Sequence, residues 1–221
     1  VPHAGLAVPP EVKDICMLDE EAIVKDGDEG AAEIYLPLKN HVEALVTTDM
    51  ARAIVDMNRA EDDRRKDGVV KTHTCWDVPI YREPLSDELT ETLLESYHRP
   101  YHQDLKRFSE KVVAGIDCHT MAAVGPPVGP DPGMKRPAVC LSNGDGTCPD
   151  AWLLSLAEIL QKNLEKPVSI NSPFKGGYII RRHSEKIPWL QMELSRASFM
   201  RDREKGRMVL ESLNEWQYCL G

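Results

Sequence analysis

The chain lacks any apolar run near the ~18 residues that a membrane-spanning helix requires. It also lacks a surplus of positive charge. Lys and Arg total 27 against 36 Asp and Glu, a formal net charge of −9, which argues against a general binder of phosphate backbones. None of its six cysteines forms a CxxC pair and their gaps are irregular, so neither zinc-finger nor thioredoxin spacing is present. The phosphate-cradling GxxxxGK[ST] motif is absent, as are internal repeats and low-complexity blocks. The opening VPHAGLAVPP has neither the basic start nor the apolar stretch of a secretory leader, so a reducing cytoplasm is the expected setting. In that setting Cys118 and Cys140, inside strand-like apolar runs, read as buried thiols. Cys140 and Cys148 flank a Gly-containing loop and would pair only in an oxidising compartment.

What is present is the composition of an ordinary globular protein, 42% apolar and 29% charged, at a length of 221 residues that can bury a proper core. Periodicity predicts alternating elements. Ile34, Leu38, Val42 and Leu45 are spaced like one helix face within residues 29–46, interrupted by Pro37. ARAIVDMN (51–58) is a β-branched run and reads as a strand. Ser86 suits the N-cap of a long helix that Pro100 should bend. VVAGIDC (112–118), PAVCLS (137–142), PVSIN, YIIR and WLQMELS (189–195) read as strands. Helices are expected from Asp150 to about Lys166 and over Gly206–Tyr218. Residues 61–84 and GPPVGPDPGMKRP (125–137) read as loops. The alternation implies a single α/β domain over residues 1–221, a mainly parallel sheet with helices on both faces. In such sheets ligands sit beyond the carboxyl ends of the strands, so polar residues there are the candidates for chemistry.

Asp117 and His119 stand at i and i+2 of one run, hence on one face. A carboxylate beside an imidazole fixes its tautomer and raises its basicity, the arrangement found behind a metal-bound His; a hydrogen-bonded structural His is the plainer alternative. His3, between Pro2 and Gly5, falls at a sharp corner or is merely a terminal His. Asp56 and Asn58 would share a strand face, with Arg59 at the exit either gripping a carboxylate or capped by Asp at the surface. NSPFKGGYIIRRH joins a Gly-Gly turn to Lys175, Arg181, Arg182 and His183, which suits an anionic small molecule or a solvated hairpin. QMELSR places Gln191, Glu193 and Ser195 opposite Met192 and Leu194; the polar face is either solvated or carries Glu193 as a general base.

Taken together and in order, VPHAG, DGDEG, ARAIVDMNR, YHRPYHQDL, DCHT, NSPFKGGYIIRRH and QMELSR resemble the N-formylglutamate amidohydrolase (deformylase) family over nearly the whole chain. The resemblance implies the fold of the zinc carboxypeptidases and aspartoacylases, a mixed, mostly parallel twisted sheet flanked by helices. It implies one zinc ion held by His3, His119 and an acid from DGDEG, best matched by Asp28 with Asp26 and Glu29 as rivals. That segment departs from the family's usual pair of Asp residues flanking Thr before Trp. Two His and a carboxylate with an open position suit catalytic zinc, although cobalt or manganese can occupy such sites. Glu193 matches the glutamate that activates the zinc-bound water. Asn58 and Arg59 resemble the Asn-Arg pair that clamps substrate carboxylates in the related enzymes, and Arg52 also fits the spacing; Arg59 or Arg52 would stabilise the oxyanion. Lys175, Arg181 and His183 are candidates for a second carboxylate. The implied substrate is a small N-acyl dicarboxylate, with N-formyl-L-glutamate first, cleaved to formate and glutamate at the end of a histidine-degradation route. No nucleic-acid or membrane partner is expected. Another acyl group or amino acid, selected by the loops at 60–84 and 121–137, is a second reading, and a non-catalytic metal- and amino-acid-binding relative is a third. Because the family's PHxG motif ends a first strand, that strand is expected to be truncated here.

Overall fold

In a computed structural model, residues 1–144, 146–199 and 203–219 are described. Four strands form one mixed sheet: β1 (Gly115–Met121), β2 (Val139–Ser142), β3 (Val168–Ile170) and β4 (Trp189–Ser195), in the order β1-β4-β2-β3. β4 runs parallel to β1 and antiparallel to β2, and β2 runs parallel to β3. The mixed, mostly parallel sheet is therefore the one expected.

Alternation along the strands gives the sheet two unlike faces. Cys118, Val139, Leu141, Leu190, Met192 and Leu194 face an apolar core. Helices α2 (Ala31–Tyr35), α5 (Asp150–Leu164) and α7 (Arg203–Cys219) close it with Tyr35, Leu153, Leu156, Leu160, Leu213 and Trp216. Each such Leu contributes about 1.5–3 kcal/mol of burial. The opposite face carries Asp117, His119, Gln191, Glu193 and Ser195, all buried. A second apolar cluster lies beyond them, built largely from irregular chain: Ile54, Val55, Met57, Val69 and Ile80, with Leu93 and Leu94. The polar sheet face is thus enclosed rather than solvated.

Two expectations fail for identifiable reasons. ARAIVDMN is not a strand; it makes isolated bridges (Gly5 with Ala51, Val55 with Val70) and turns back on itself, with Ile54 N–H and Val55 N–H both donating to Ala51 O. Asp56 Oδ1 accepts the Asn58 N–H at 2.8 Å, an Asx turn that competes with a ladder. Gly5 permits the close approach here, since a Cβ at that position would lie 2.2 Å from the Asp49 carbonyl carbon. YIIR is also not a strand but part of helix α6 (Tyr178–His183), whose first donors are met by side chains from elsewhere: Gly177 N–H donates to Gln191 Oε1 (2.7 Å) and Ile179 N–H to Asn58 Oδ1 (2.8 Å). Residues 29–46 are helical only through Asn40, as α2 followed by a 3-10 stretch that begins around Pro37.

Ser86 does cap its helix, accepting from Leu89 N–H at 3.1 Å. α3 (Asp87–Leu93) runs through a π-type stretch, Leu94–His98, into α4 (Arg99–Phe108), so the wide turn precedes Pro100 and absorbs its missing donor. Where α4 meets α6, His102 Nδ1 lies 2.9 Å from His183 Nε2. Burial pushes His102 down to about 3, helped by the neighbouring His98 and His183. Burial, with Arg182 adding, pushes His183 down to about 4. Both stay neutral in the fold, whereas a free imidazole takes up a proton near pH ~6.5. The unfolded chain therefore binds more protons between about pH 4 and 6.5, and stability is lost as pH falls through that window. We expect the urea midpoint to fall from about pH 7.5 to about pH 5, and to fall less in His183→Gln; an equal drop in the variant would show that this cluster is not the source.

Candidate metal centre

His3, Asp28 and His119 offer ligand atoms that all lie within 4.8 Å of one another, and all three residues are buried. They arrive from distant parts of the chain. His3 sits in the turn before Gly5. Asp28 follows α1 (Glu20–Asp26), its N–H donating to His3 O at 3.2 Å. His119 lies on β1 opposite Glu193 of β4.

Each imidazole has a carboxylate behind it. His3 Nε2 is 2.8 Å from Asp56 Oδ1, and His119 Nε2 is 2.9 Å from Asp117 Oδ2. The Nδ1 atoms both face Asp28, at 3.5 Å for His3 and 2.9 Å for His119. His3 Nδ1 is buried without a hydrogen-bond partner. A cation between the two Nδ1 atoms and Asp28 would satisfy it. The donor set, the outer carboxylates that fix both tautomers and this orphaned nitrogen fit a divalent transition metal.

The field in the centre follows from its charges. Burial alone would raise Asp28, but His3 and His119 outweigh it and hold the carboxyl well below its ordinary range. Asp56 is likewise raised by burial but held well down by His3, Arg59 and Arg52. Burial would lower His119, yet Asp117 and Glu193 carry it well above the ordinary value. Glu193 moves the other way: burial, with Asp28 and Asp117 adding and His119 and Arg52 opposing, pushes it up to about 6. Gln191 Nε2 donates to Glu193 Oε1 at 2.9 Å and fixes the carboxyl's direction.

A cavity of about 720 Å³ opens over this group. Among its lining residues Lys and Arg outnumber Asp and Glu by eight to four, the reverse of the chain as a whole. Arg52, Asn58, Arg59 and Lys175 line it, as do His3, Asp28, His119 and Glu193. Arg52 Nε donates to Asp56 Oδ2 at 3.1 Å, and its Nη1 lies 3.8 Å from Asp28 Oδ1. Arg59 is turned toward Asp67, with Nε on the Asp67 carbonyl (3.1 Å) and Nη2 3.5 Å from the carboxylate.

Asn58 has both ends of its amide engaged by protein. Nδ2 donates to Asp117 Oδ2 at 3.0 Å and lies 3.1 Å from His119 Nε2, while Oδ1 accepts from Ile179. The amide expected to clamp a substrate carboxylate is thus engaged by the centre's own residues and by α6 in this structure. Gly177 makes room for it, since a Cβ there would fall within 2.3–2.5 Å of the Asn58 amide atoms.

Two expected residues are elsewhere. Arg181 is exposed and donates to Lys175 O at 3.2 Å, and His183 belongs to the histidine cluster with His102. Neither lines the cavity, because the helix that replaces the expected YIIR strand carries its last turn away from it. Of the rival acids, Asp26 is taken up by Lys71 Nζ (2.7 Å) and the Cys75 N–H (2.6 Å), and Glu29 is part-exposed with its carbonyl on Thr120 Oγ1.

Sequence reasoning missed three contributors. Asp56 holds His3, and Gln191 orients Glu193. Arg196, three residues after Glu193, donates to Gly27 O and so ties down the segment bearing Asp28. The Gln191-Glu193 alternation was the one visible signal. Cys16, Cys75, Cys118, Cys140 and Cys148 are free thiols. No described helix is long and apolar enough to cross a membrane.

Comparisons with known proteins agree with this architecture. The chain is 26% identical to an N-formylglutamate deformylase of Pseudomonas putida, over 92% of this chain and 81% of that protein. It is 24% identical to an N-formylglutamate deformylase of Pseudomonas aeruginosa, over 98% and 91% respectively. Among solved structures, an N-formylglutamate amidohydrolase from Ralstonia eutropha JMP134 superposes with a TM-score of 0.75 at 19% identity, covering 99% of this chain and 90% of that one. A gene product of Agrobacterium tumefaciens superposes with a TM-score of 0.76 at 15% identity, covering 99% and 88%. The family profile described as N-formylglutamate amidohydrolase matches residues 1–200, and the chain belongs to that family.

Proposed function

We propose that the protein is a zinc-dependent amidohydrolase that cleaves N-formyl-L-glutamate to formate and L-glutamate. The observation that carries the reading is the convergence of His3 Nδ1, His119 Nδ1 and Asp28 beside the buried carboxyl of Glu193, in a chain of this family. His3, Asp28 and His119 would hold the ion. Zinc bound there supplies a Lewis acid and lowers the pKa of water.

The chain's own groups account for the rest. Glu193, held by Gln191 and raised by burial, is suited to take a proton from the attacking water and return it to the leaving nitrogen. Arg52 reaches both Asp28 and Asp56, so it stiffens the centre while adding positive charge at the cavity wall. Arg59 and Lys175 add to that charge, which attracts a dicarboxylate into an otherwise acidic protein. Arg59 would leave Asp67 to meet a substrate carboxylate or the developing oxyanion. The loop residues Arg65, Trp76, Val128 and Arg136 at the cavity wall would set which acyl group and amino acid fit.

Purified protein is expected to carry one zinc per chain by elemental analysis and to release formate from N-formyl-L-glutamate. A metal-bearing protein that releases a different acid from another N-acyl glutamate or aspartate would keep the chemistry and change the substrate. Metal without turnover on any of them would favour a binding protein. Glu193→Gln should lower kcat on the order of 10²–10⁴-fold with metal content unchanged; retained turnover removes Glu193 as the base. His119→Ala should lose the metal, and normal occupancy in that variant would refute the ligand set.

A further inference from the structure

Segment 56–59 supports the centre from one side. Asp56 holds His3, and Asn58 holds Asp117 beside His119. Yet these residues lie in neither helix nor strand. Their backbone carbonyls show what fixes them. His102 Nε2 lies 3.0 Å from Met57 O, and His98 Nε2 lies 2.9 Å from Arg59 O. The two histidines therefore grip the carbonyls on either side of Asn58.

The YHRPYH sequence explains how. His98 and His102 are four residues apart and share one helix face, with ring centroids 4.4 Å apart. The wide turn at Leu94–His98, just before Pro100, is where that face is set. A carbonyl only accepts, so both Nε2 atoms must carry the proton. His102 Nδ1 is then an acceptor, and it takes the His183 Nε2–H at 2.9 Å. His183 thus locks the tautomer that His102 needs.

We propose that His98 and His102, the latter backed by His183, are positioning residues of the metal centre, acting through segment 56–59 rather than by touching metal or substrate. The inference rests on reading His3, Asp28 and His119 as that centre. Outer partners that orient ligands typically govern metal affinity by about 10–100-fold. These histidines stand one layer further out, behind Asp56 and Asn58.

The test compares Leu and Gln at positions 98 and 102. Gln keeps an N–H donor near the Nε2 position; Leu removes it. The apo protein is titrated with Co²⁺ near about pH 7.5, following the visible absorption of the bound ion, and formate release gives kcat and KM. His98→Leu and His102→Leu should weaken Co²⁺ binding about tenfold or more, change the band, and lower kcat more than they raise KM. His98→Gln and His102→Gln should recover most of the affinity and the wild-type band. Leu160→Ala, in the apolar core on the far face of the sheet, should lose thermal stability but keep Co²⁺ affinity. The proposal is overturned if the Leu variants keep wild-type affinity, if the Gln variants are no better than Leu, or if Leu160→Ala weakens Co²⁺ equally. Should His102→Leu not fold, the His98 pair and His102→Gln decide. Wild-type protein that binds Co²⁺ but releases no formate would sink the substrate assignment, and the positioning role would still be read from affinity.

Discussion

Four carboxyl groups, Asp28, Asp56, Asp117 and Glu193, are buried together on one face of the sheet. Burying that much negative charge is tolerable only with cations and donors arranged around it. Arg52 lies within 4 Å of Asp28 and Asp56, the imidazoles of His3 and His119 meet Asp28, Asp56 and Asp117, and Gln191 donates to Glu193. The remaining architecture follows from this demand. The second apolar cluster seals the group from one side, the sheet from the other, and the side-chain caps on α6 come from the same polar network. A divalent ion at His3, Asp28 and His119 would complete the balance.

The regular half of the molecule was legible in the sequence because its pattern is local. WLQMELS is a strand over the residues expected, and its alternation sends Met192 and Leu194 to the core and Gln191 and Glu193 to the polar face. Ser86 and the Asp150 helix were legible for the same reason, since caps and stripes act within one or two turns. The irregular half was not. ARAIVDMN has strand composition, but nearly all of it is buried and it pairs only through isolated bridges, so burial rather than alternation shapes it. YIIR lies in a helix whose first donors are met by side chains from elsewhere, Gln191 for Gly177 and, more than a hundred residues earlier in the chain, Asn58 for Ile179. No local signal carries that information.

The site shows the same division. The motif resemblance pointed to His3, Asp28, His119 and Glu193, which the fold brings to one cavity. Asp56 as the partner of His3 was hidden by 53 residues of separation. Arg181 and His183 were misplaced because their position depends on the helix that replaced a strand. The acidic composition also conceals a cavity wall of opposite sign, where Arg52, Arg59, Arg136, Lys175 and Arg196 gather.

The candidate ligand residues and their neighbour Glu193 come from across the chain: residue 3 meets residue 28, 28 meets 119, and 119 pairs across the sheet with 193. Such a centre exists only once most of the polypeptide has been threaded into place. An occupant would therefore act as a rivet through the whole domain rather than a staple in one loop. Its binding energy would be felt in cooperative global unfolding, and stripping it would loosen the distant termini of that circuit together.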